Sequence, residues 1–289
     1  MSALIAAGYT FIKAVQEFRH PLLDEVFLLF TFVGGERFLL VLVPVLLWAY
    51  SRRLGLYVAL LFILSGLLNT ALKATFRQPR PSPELVARLT PAEGYGLPSG
   101  HAQNAVVTWG WIARAAGGRL WPLWAVVLSA LIGFSRIYLG VHFPHDVVAG
   151  WGIGTLILYA VIRWGPAVEQ WLVSLPARAH IGLALLPLTL LPSTEDTLVV
   201  RAVGALVGAS LGAVVEHSTV RFAPGGPWRQ RVLCLAVGFV GLALIWGGGK
   251  LILPSTPAGY LLRYGLTGAW VTLGAPWTFV RAGLARPSR

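Results

Sequence analysis

The stretch LGLYVALLFILSGLLNTAL, Leu54–Leu72, decides the fold class, because it contains no charged residue and is long enough to cross a bilayer. A helix needs roughly 20 mostly apolar residues to span about 30 Å of hydrocarbon. The rest of the chain has the same character: 56% of its 289 residues are hydrophobic, 12% are charged, and the mean hydropathy is +0.71. These values exclude a soluble globular domain and predict an integral membrane protein.

Apolar segments recur along the whole chain and predict an all-α, polytopic transmembrane helical bundle. The expected spans are residues 36–50, 54–72, 101–117, 120–138, 146–164, 180–193, 198–216, 231–248 and 260–281. Residues 1–20 mix four ionisable side chains with apolar ones, and no small-residue cleavage site follows them. This N-terminal segment therefore predicts an interfacial helix and not a signal peptide.

The net charge of +12 does not indicate a nucleic-acid partner, because the basic residues are scattered over short loops and form no contiguous basic segment. The single cysteine, Cys234, lies in an apolar segment and is expected to serve packing only.

The distribution of Lys and Arg predicts the orientation in the membrane, since cytoplasmic loops are enriched in both. One side of the predicted bundle holds Arg52, Arg53, Arg114, Arg119, Arg163, Arg178, Arg221, Arg229, Arg231, Arg281, Arg286 and Arg289. That side is expected to be cytoplasmic. The loop 73–100, the stretch 135–146 and the segment around Lys250 would then face outward.

Three polar clusters fall on this outer side. In KATFRQPRP, Lys73 and Arg80 are seven residues apart, which is two helical turns if the helix persists, and Pro79 and Pro81 break the helix there. Taken alone, this cluster is more typical of a membrane-boundary loop whose basic side chains reach the lipid headgroups.

The second cluster is LPSGHAQN, in which Ser99 and Gly100 precede a helix that begins near His101. Ser99 suits an N-cap, Gly100 allows close approach of a ligand, and the free N–H groups of a helix start favour an anion. An ordinary cap with an interfacial histidine is the alternative interpretation.

The third cluster, SRIYLGVHFPHD (135–146), supplies a guanidinium and a His–Asp pair. Arg136 can bind phosphate oxygens through its planar fork, and His142 stands four residues before Asp146, within reach across one helical turn. Pro144 suits the first turn of the next helix. A carboxylate on one imidazole nitrogen leaves the other nitrogen free as a nucleophile or base. Taken alone, however, a His and an Asp at a helix start more often serve in capping and hydrogen bonding than in catalysis.

The three clusters together resemble the signature of the type 2 phosphatidic acid phosphatase (PAP2) superfamily: K-x6-R-P, P-S-G-H and S-R-x5-H-x3-D. Every spacing is met over roughly residues 54–165. The resemblance implies a six-helix catalytic core with about three extra C-terminal helices. The corresponding divisions of the chain are an N-terminal helix at 1–20, a catalytic membrane core at 21–195 and a transmembrane extension at 196–289.

The resemblance also implies a lipid phosphate or diphosphate phosphatase that works without a metal or cofactor. His142 would attack phosphorus to form a phosphohistidine, Asp146 would orient its ring, and His101 would protonate the leaving oxygen. The phosphate would be bound by Lys73, Arg80, Ser99, Gly100 and Arg136.

Several alternatives stay open at the level of the sequence. The same intermediate serves a lipid phosphotransferase, and a transporter or scaffold could retain the phosphate pocket. The run His142, His145 and Asp146 also suggests a metal site, but the neighbouring cations would oppose the binding of a divalent ion. The expected partners are a membrane lipid phosphate, such as undecaprenyl diphosphate or a phosphatidate-like lipid, and the bilayer, with a homo-oligomer left open. The expected location is a bacterial inner or plasma membrane, with the site facing the periplasm or exterior.

Overall fold

The computed structural model describes residues 3–194 and 196–287 of the chain, and it confirms the all-α prediction. Within those residues, the one β-type pairing is an isolated bridge between Phe222 and Pro287. The helices are α1 Ala3–Gln16, α2 Pro21–Val33, α3 Glu36–Val45, α4 Arg52–Phe76, α5 Gly100–Ala116, α6 Trp121–Tyr138, α7 Pro144–Ser174, α8 Ala177–Leu185, α9 Thr197–Thr219, α10 Trp228–Ile252, α11 Pro257–Ala269 and α12 Ala275–Arg281.

Five of the nine predicted spans coincide with helices that are long and apolar enough to cross a membrane, namely α4, α6, α7, α9 and α10. The predicted spans 101–117, 180–193 and 260–281 correspond to shorter helices. Helix α5 has 17 residues, α8 continues as a 3₁₀ segment at Leu186–Ser193, and a π-helical turn at Trp270–Gly274 separates α11 from α12.

Helix α2 is absent from the sequence-based spans, which began at residue 36. It starts at Pro21, where the His20 side chain accepts a hydrogen bond from the Leu22 N–H, and ends before Gly34. After that break the chain continues as α3 and a π-helical turn at Leu46–Tyr50, bent by 56° from α2. The pair can form a sixth, broken span. The sequence pattern missed its first half because the Gly34-Gly35 break interrupts the apolar run.

The contacts divide the chain into two compact units, Met1–Val41 with Leu61–Gly165 and Leu42–Leu60 with Pro166–Arg289. In the first unit, α5 and α7 pack closely through glycines. A Cβ at Gly150 would lie 2.5 Å from the Ser99 carbonyl oxygen, and one at Gly154 would lie 2.6 Å from the Gln103 carbonyl oxygen. Small residues four apart allow such close approach of two helices. The second and third sequence clusters are therefore held together by backbone packing.

Helix α1 also belongs to this unit. Its Ile12 is fully buried, and the Tyr9 ring meets the Phe143 ring edge-on at 5.1 Å. The Gln16 side chain donates to the carbonyl oxygens of Ala87 and Tyr138, at 2.7 and 3.0 Å, and accepts from the Ala87 N–H at 3.0 Å. Helix α1 thereby fixes the loop between α4 and α5 to the C-terminal end of α6.

The second unit is built around the pair α9 and α11. Gly204, Gly208 and Gly212 of α9 face the backbone of the α11 segment, and a Cβ at Gly208 would lie 1.9 Å from the Gly265 carbonyl oxygen. The buried Glu216 at the end of α9 pairs with Arg52 and accepts from the Phe222 N–H at 2.6 Å. These contacts explain why the ionisable Glu216 is tolerated in an apolar helix.

Candidate active site

His142 and Asp146 lie where α6 turns into α7. The turn requires a left-handed residue at Gly140, with a φ of 68°, and a Cβ there would meet the Ala87 carbonyl oxygen at 2.1 Å. Helix α7 begins at Pro144, as predicted. Both side chains are buried, and His142 Nδ1 lies 3.3 Å from Asp146 Oδ2, which also accepts the Phe143 N–H at 2.9 Å. The predicted contact between these residues is present, although His142 precedes the first residue of α7.

The second oxygen of the same carboxylate is held by a residue that the sequence analysis did not single out. Gln78 Nε2 donates to Asp146 Oδ1 at 2.7 Å and also lies 2.7 Å from His145 Nε2. Both carboxylate oxygens thus have fixed partners, so the Asp146 plane is locked relative to His142. Gln78 sits inside the first cluster, between Lys73 and Arg80, and this position was the one signal in the sequence for it.

Arg80 contacts the other nitrogen of His142. Its Nη1 donates to the Val141 carbonyl oxygen at 3.0 Å and lies 2.9 Å from His142 Nε2. A guanidinium can only donate, so Nε2 must present its lone pair and Nδ1 must carry the proton toward Asp146. The Nε of Arg80 is held by the carbonyl oxygens of Glu93 and Gly94, at 3.1 and 3.2 Å. The geometry therefore selects the tautomer in which Nε2 carries the free lone pair and Nδ1 carries the proton.

Burial and neighbouring cations keep this imidazole neutral. Burial lowers the pKa of His142 well below its usual value, and the charges of Arg80, Arg136 and Lys73 lower it further. Burial also lowers the pKa of Arg80 to about 10, a value that leaves this guanidinium protonated at neutral pH. The site thus combines an unprotonated nitrogen with fixed positive charge.

Lys73 and Arg136 complete the cationic group. Lys73 lies in the last turn of α4 and interacts electrostatically with Arg80, Arg136 and Asp146. Helix α4 ends at Phe76, so Arg80 lies beyond the helix, in keeping with the break predicted from Pro79 and Pro81. The two-turn relation between Lys73 and Arg80, which required a continuous helix, therefore does not apply. The loop that follows brings Arg80 back toward the site.

Arg136 is buried at the end of α6, and its Nη1 donates to the Thr31 hydroxyl in the last turn of α2. Its Nε is buried and has no hydrogen-bond acceptor in the described part of the chain. A buried donor of this kind is costly unless something accepts from it, which is what a phosphate oxygen would do.

Ser99 occupies the N-cap position of α5 but does not cap the helix through its side chain, which corrects the cap prediction. Its N–H donates to the Asp146 carbonyl oxygen at 2.9 Å, and its Oγ is buried with no partner among the described residues. The contacts with Asp146 and Gly150 fix the Ser99 backbone and leave its hydroxyl available for a ligand.

Gly100 has a role in helix packing, besides the close approach of a ligand that the sequence predicts there. A Cβ there would lie 2.9 Å from Asn69 Oδ1 of α4. Asn69 Nδ2 donates to Gln103 Oε1 at 2.9 Å and to the Pro98 carbonyl oxygen at 3.3 Å. The absence of a side chain at position 100 thus lets α4 and the start of α5 approach each other. The first N–H groups of a helix have no intrahelical acceptor, so those of α5 remain suited to an anion.

His101 lies beside the break between α2 and α3. A hydrogen bond links it to the backbone of Thr31, and a Cβ at Gly35 would lie 3.5 Å from its Nε2. The charges of Arg136, Lys73 and Arg80 act on it, and it acts on His142. All three sequence clusters therefore converge, with α2 as an additional element that the sequence did not predict.

The ring nitrogens of His142 and His145 and the carboxylate of Asp146 are directed at protein groups. The described residues contain no group of three or more His, Cys, Asp or Glu side chains placed to share an ion. The His145 ring stacks on Phe143 at 5.4 Å between centroids, and its Nε2 points to Gln78 and Asp146. The His145 imidazole is thus used in packing and in holding Asp146.

Comparison with known proteins gives two family matches. Residues 54–169 match the PAP2 superfamily, and residues 200–287 match a family described as "PAP2 superfamily phosphatase, transmembrane extension". Phosphatidylglycerophosphatase B of Bacillus subtilis is 32% identical over 183 residues, which cover 59% of this chain and 89% of that protein. The chain belongs to the PAP2 superfamily.

Other PAP2 proteins agree with this assignment. The crystal structure of a transmembrane PAP2-type phosphatidylglycerolphosphate phosphatase from Bacillus subtilis superimposes with a TM-score of 0.52, at 29% identity, over 58% of this chain and 89% of that one. The undecaprenyl-diphosphatase of Sulfolobus acidocaldarius is 29% identical over 124 residues, 41% of this chain and 58% of that protein. The chain is thus a multi-pass membrane phosphatase of the PAP2 type. The segment that matches the PAP2 superfamily, residues 54–169, contains every site residue predicted from the sequence.

Proposed function

We propose that this PAP2 protein removes phosphate from a membrane lipid by attack of His142 Nε2 on phosphorus. The observation that carries the proposal is the polarised imidazole: Asp146 lies at Nδ1, and Nε2 presents its lone pair to Arg80. A neutral, oriented imidazole beside fixed cations is what nucleophilic catalysis on a phosphate requires.

In the first step, a bond forms between Nε2 and phosphorus while the bond from phosphorus to the lipid oxygen breaks. His101 donates a proton to the departing oxygen, and the positive charge on the His142 ring is stabilised by Asp146. Water then attacks the phosphohistidine, His101 takes a proton from it, and inorganic phosphate leaves with the Nε2 lone pair restored. Arg80 must turn from Nε2 to a phosphate oxygen before the first step.

The remaining site residues would hold the phosphoryl group. Lys73, Arg80 and Arg136 supply positive charge to its equatorial oxygens, and Ser99 Oγ and the Gly100 N–H supply hydrogen bonds. The unpartnered Arg136 Nε and Ser99 Oγ support this assignment, because both are buried polar atoms that need a ligand. These cations supply the charge stabilisation that a divalent ion provides in other phosphatases, so the proposed reaction takes no metal or other cofactor.

The substrate class is a lipid phosphate or diphosphate, with a polyprenyl diphosphate or a phosphatidate-like lipid as the leading candidates. The relatives named as acting on phosphatidylglycerophosphate and undecaprenyl diphosphate support this range. Residues 21–195 would form the catalytic membrane core, and residues 196–289 the extension. The charge distribution supports a site on the outer face of a bacterial plasma membrane.

The test is phosphate release from a panel of lipid phosphates and diphosphates by the detergent-purified protein, with and without EDTA. His142→Ala should reduce turnover by several orders of magnitude, and Asp146→Asn by less, because the first removes the nucleophile and the second misorients it. A near-native rate for His142→Ala would overturn the mechanism. Transfer of phosphate to an added lipid alcohol instead of water would show a phosphotransferase, and binding without turnover would show a scaffold.

A further inference from the structure

In the second unit, far along the sequence from the active-site clusters, two arginine side chains lie over the same tyrosine ring. The guanidinium carbon of Arg201 in α9 lies 4.5 Å from the centroid of the Tyr260 ring in α11, and that of Arg263 lies 5.4 Å from the same centroid. Both also lie over Tyr264, at 5.9 and 5.2 Å. Two like charges are thus gathered at one place in the C-terminal extension.

Neither arginine is neutralised by a carboxylate of residues 3–194 or 196–287. Elsewhere in the same unit, Arg52 pairs with Glu216, and Arg53 pairs with Glu169 at 2.5 Å. The Nε atoms of Arg201 and Arg263 are buried and have no acceptor within the described ranges. Arg201 has a side-chain hydrogen bond to Tyr260, and the cation–π contacts offset part of the cost of two adjacent cations. Neither interaction supplies a negative charge or an acceptor for the two Nε atoms. Among the described residues, the arrangement therefore lacks an anion with oxygen acceptors.

The neighbouring end of α10 leaves room for such an anion. The Arg263 side chain lies over Gly249, where a Cβ would meet its Cγ at 3.0 Å, while Cβ atoms at Gly247 and Gly248 would have no atom within 4 Å. Lys250 follows with an exposed side chain, and Leu251 and Ile252 are 88% and 82% exposed. A cationic group beside open glycines and exposed apolar residues is typical of a surface that meets a lipid headgroup and its tail.

We propose that Arg201 and Arg263, with Tyr260, Tyr264 and Lys250 around them, bind the phosphate of an anionic membrane lipid at a site separate from the catalytic one. The planar forks of the arginines would each present paired N–H donors to phosphate oxygens. The tyrosine rings hold the two forks in place, and the lipid tail would lie along the exposed end of α10. The extension would thereby be anchored by a lipid that is bound and not hydrolysed.

The test measures binding to the full-length protein in detergent by native mass spectrometry, with phosphatidylglycerol, phosphatidylcholine and inorganic phosphate titrated separately. The wild-type protein should retain phosphatidylglycerol in preference to phosphatidylcholine. Arg201→Gln and Arg263→Gln should each weaken that binding at least about fivefold, as expected for the loss of one basic residue at an anionic lipid surface. Arg281→Gln is the matched control, because the Arg281 guanidinium also lies over an aromatic ring, that of Trp277, at 5.5 Å.

Arg201→Lys and Arg263→Lys serve if the glutamine variants do not fold. They keep the charge and lose the fork, so phosphatidylglycerol binding should be weaker than in wild type and weaker than in Arg281→Lys. Unchanged phosphatidylglycerol binding in both arginine positions, or binding of inorganic phosphate without any binding of the lipid, would overturn the proposal. Hydrolysis of a short-chain lipid phosphate should stay within about twofold of wild type in Arg201→Gln, so the result is independent of the phosphatase proposal.

Discussion

The Nη1 of Arg80 lies 2.9 Å from His142 Nε2, the imidazole nitrogen that faces away from Asp146. The proposed nucleophile is therefore covered by the guanidinium that is expected to bind the phosphate. A substrate phosphate offers Arg80 a charged acceptor in place of a neutral one, and charged acceptors form the stronger hydrogen bonds. Substrate binding would thus uncover Nε2 at the moment that the phosphate arrives.

This relationship predicts the pH dependence of turnover. A protonated His142 cannot attack, so activity is lost as pH falls through its pKa, and burial with Arg80 and the other cations holds that pKa well below 6.5. Arg80→Gln removes one of those cations, so the pKa of His142 should rise and the acid limb of kcat/KM should move to higher pH. The pKa of His142 should nevertheless stay below 6.5 in this variant, because burial lowers it more than any single cation does.

Arg80→Lys is the matched control for this measurement, since it keeps the positive charge while losing the fork. Its acid limb should stay close to that of wild type, although its overall rate falls. The same substrate is used for every variant, so ionisation of the substrate phosphate contributes equally to each pH profile. An acid limb that moves to lower pH in Arg80→Gln would contradict the electrostatic argument.

Gln78 is expected to act as a positioning residue, because it holds the Asp146 oxygen that does not face His142. Hydrogen bonds to charged groups contribute about 1.5–3 kcal/mol, which corresponds to a loss of about 10- to 150-fold in kcat for Gln78→Leu. KM should change little, because Gln78 has no proposed contact with the substrate. Steady-state kinetics on a short-chain lipid phosphate separate the two parameters. Arg77→Lys, an exposed neighbour, should behave as wild type.

Gly150 and Gly152 of α7 provide a matched pair that tests the packing of the site. A Cβ at position 150 would press on the Ser99 carbonyl oxygen at 2.5 Å, whereas a Cβ at position 152 would have no atom within 4 Å. Gly150→Ala should therefore shift the start of α5 and lower kcat/KM by about 10- to 100-fold. Gly152→Ala should leave kcat/KM within about twofold and should not lower the melting temperature, since alanine favours a helix. Equal rates in the two variants would show that the α5–α7 contact does not position the site.

The orientation in the membrane rests on the positions of Lys and Arg alone, and cysteine labelling tests it. In a Cys234→Ala background, a cysteine in place of Glu84, on the loop between α4 and α5, should react with a membrane-impermeant maleimide in intact cells. A cysteine in place of Gly225, on the exposed loop between α9 and α10, should react only after permeabilisation. The reverse pattern would place the chemistry at the cytoplasmic leaflet.

The long spans and the central His–Asp pair were predictable from the sequence because both depend on local spacing. Apolar length fixes α4, and the four-residue separation of His142 and Asp146 allows their contact, although His142 precedes the first residue of α7. Gln78 and Thr31 were not predictable, because they reach the site through a loop and a bent helix pair whose paths depend on tertiary packing. Ser99 has the residue type and position of a side-chain cap, but its N–H binds the Asp146 carbonyl oxygen and its hydroxyl is left without a partner.

The central claim is that phosphate is transferred to His142 Nε2, and the most direct measurement is to trap and map that intermediate. His101→Ala keeps the nucleophile and loses the residue expected to assist both steps, so a labelled lipid phosphate should leave label on the protein after a rapid alkaline quench, which preserves acid-labile phosphohistidine. The account predicts that mass spectrometry places the label on His142 and that His142→Ala, His101→Ala protein carries none. Label on a serine or aspartate, or equal labelling of the double variant, would contradict it.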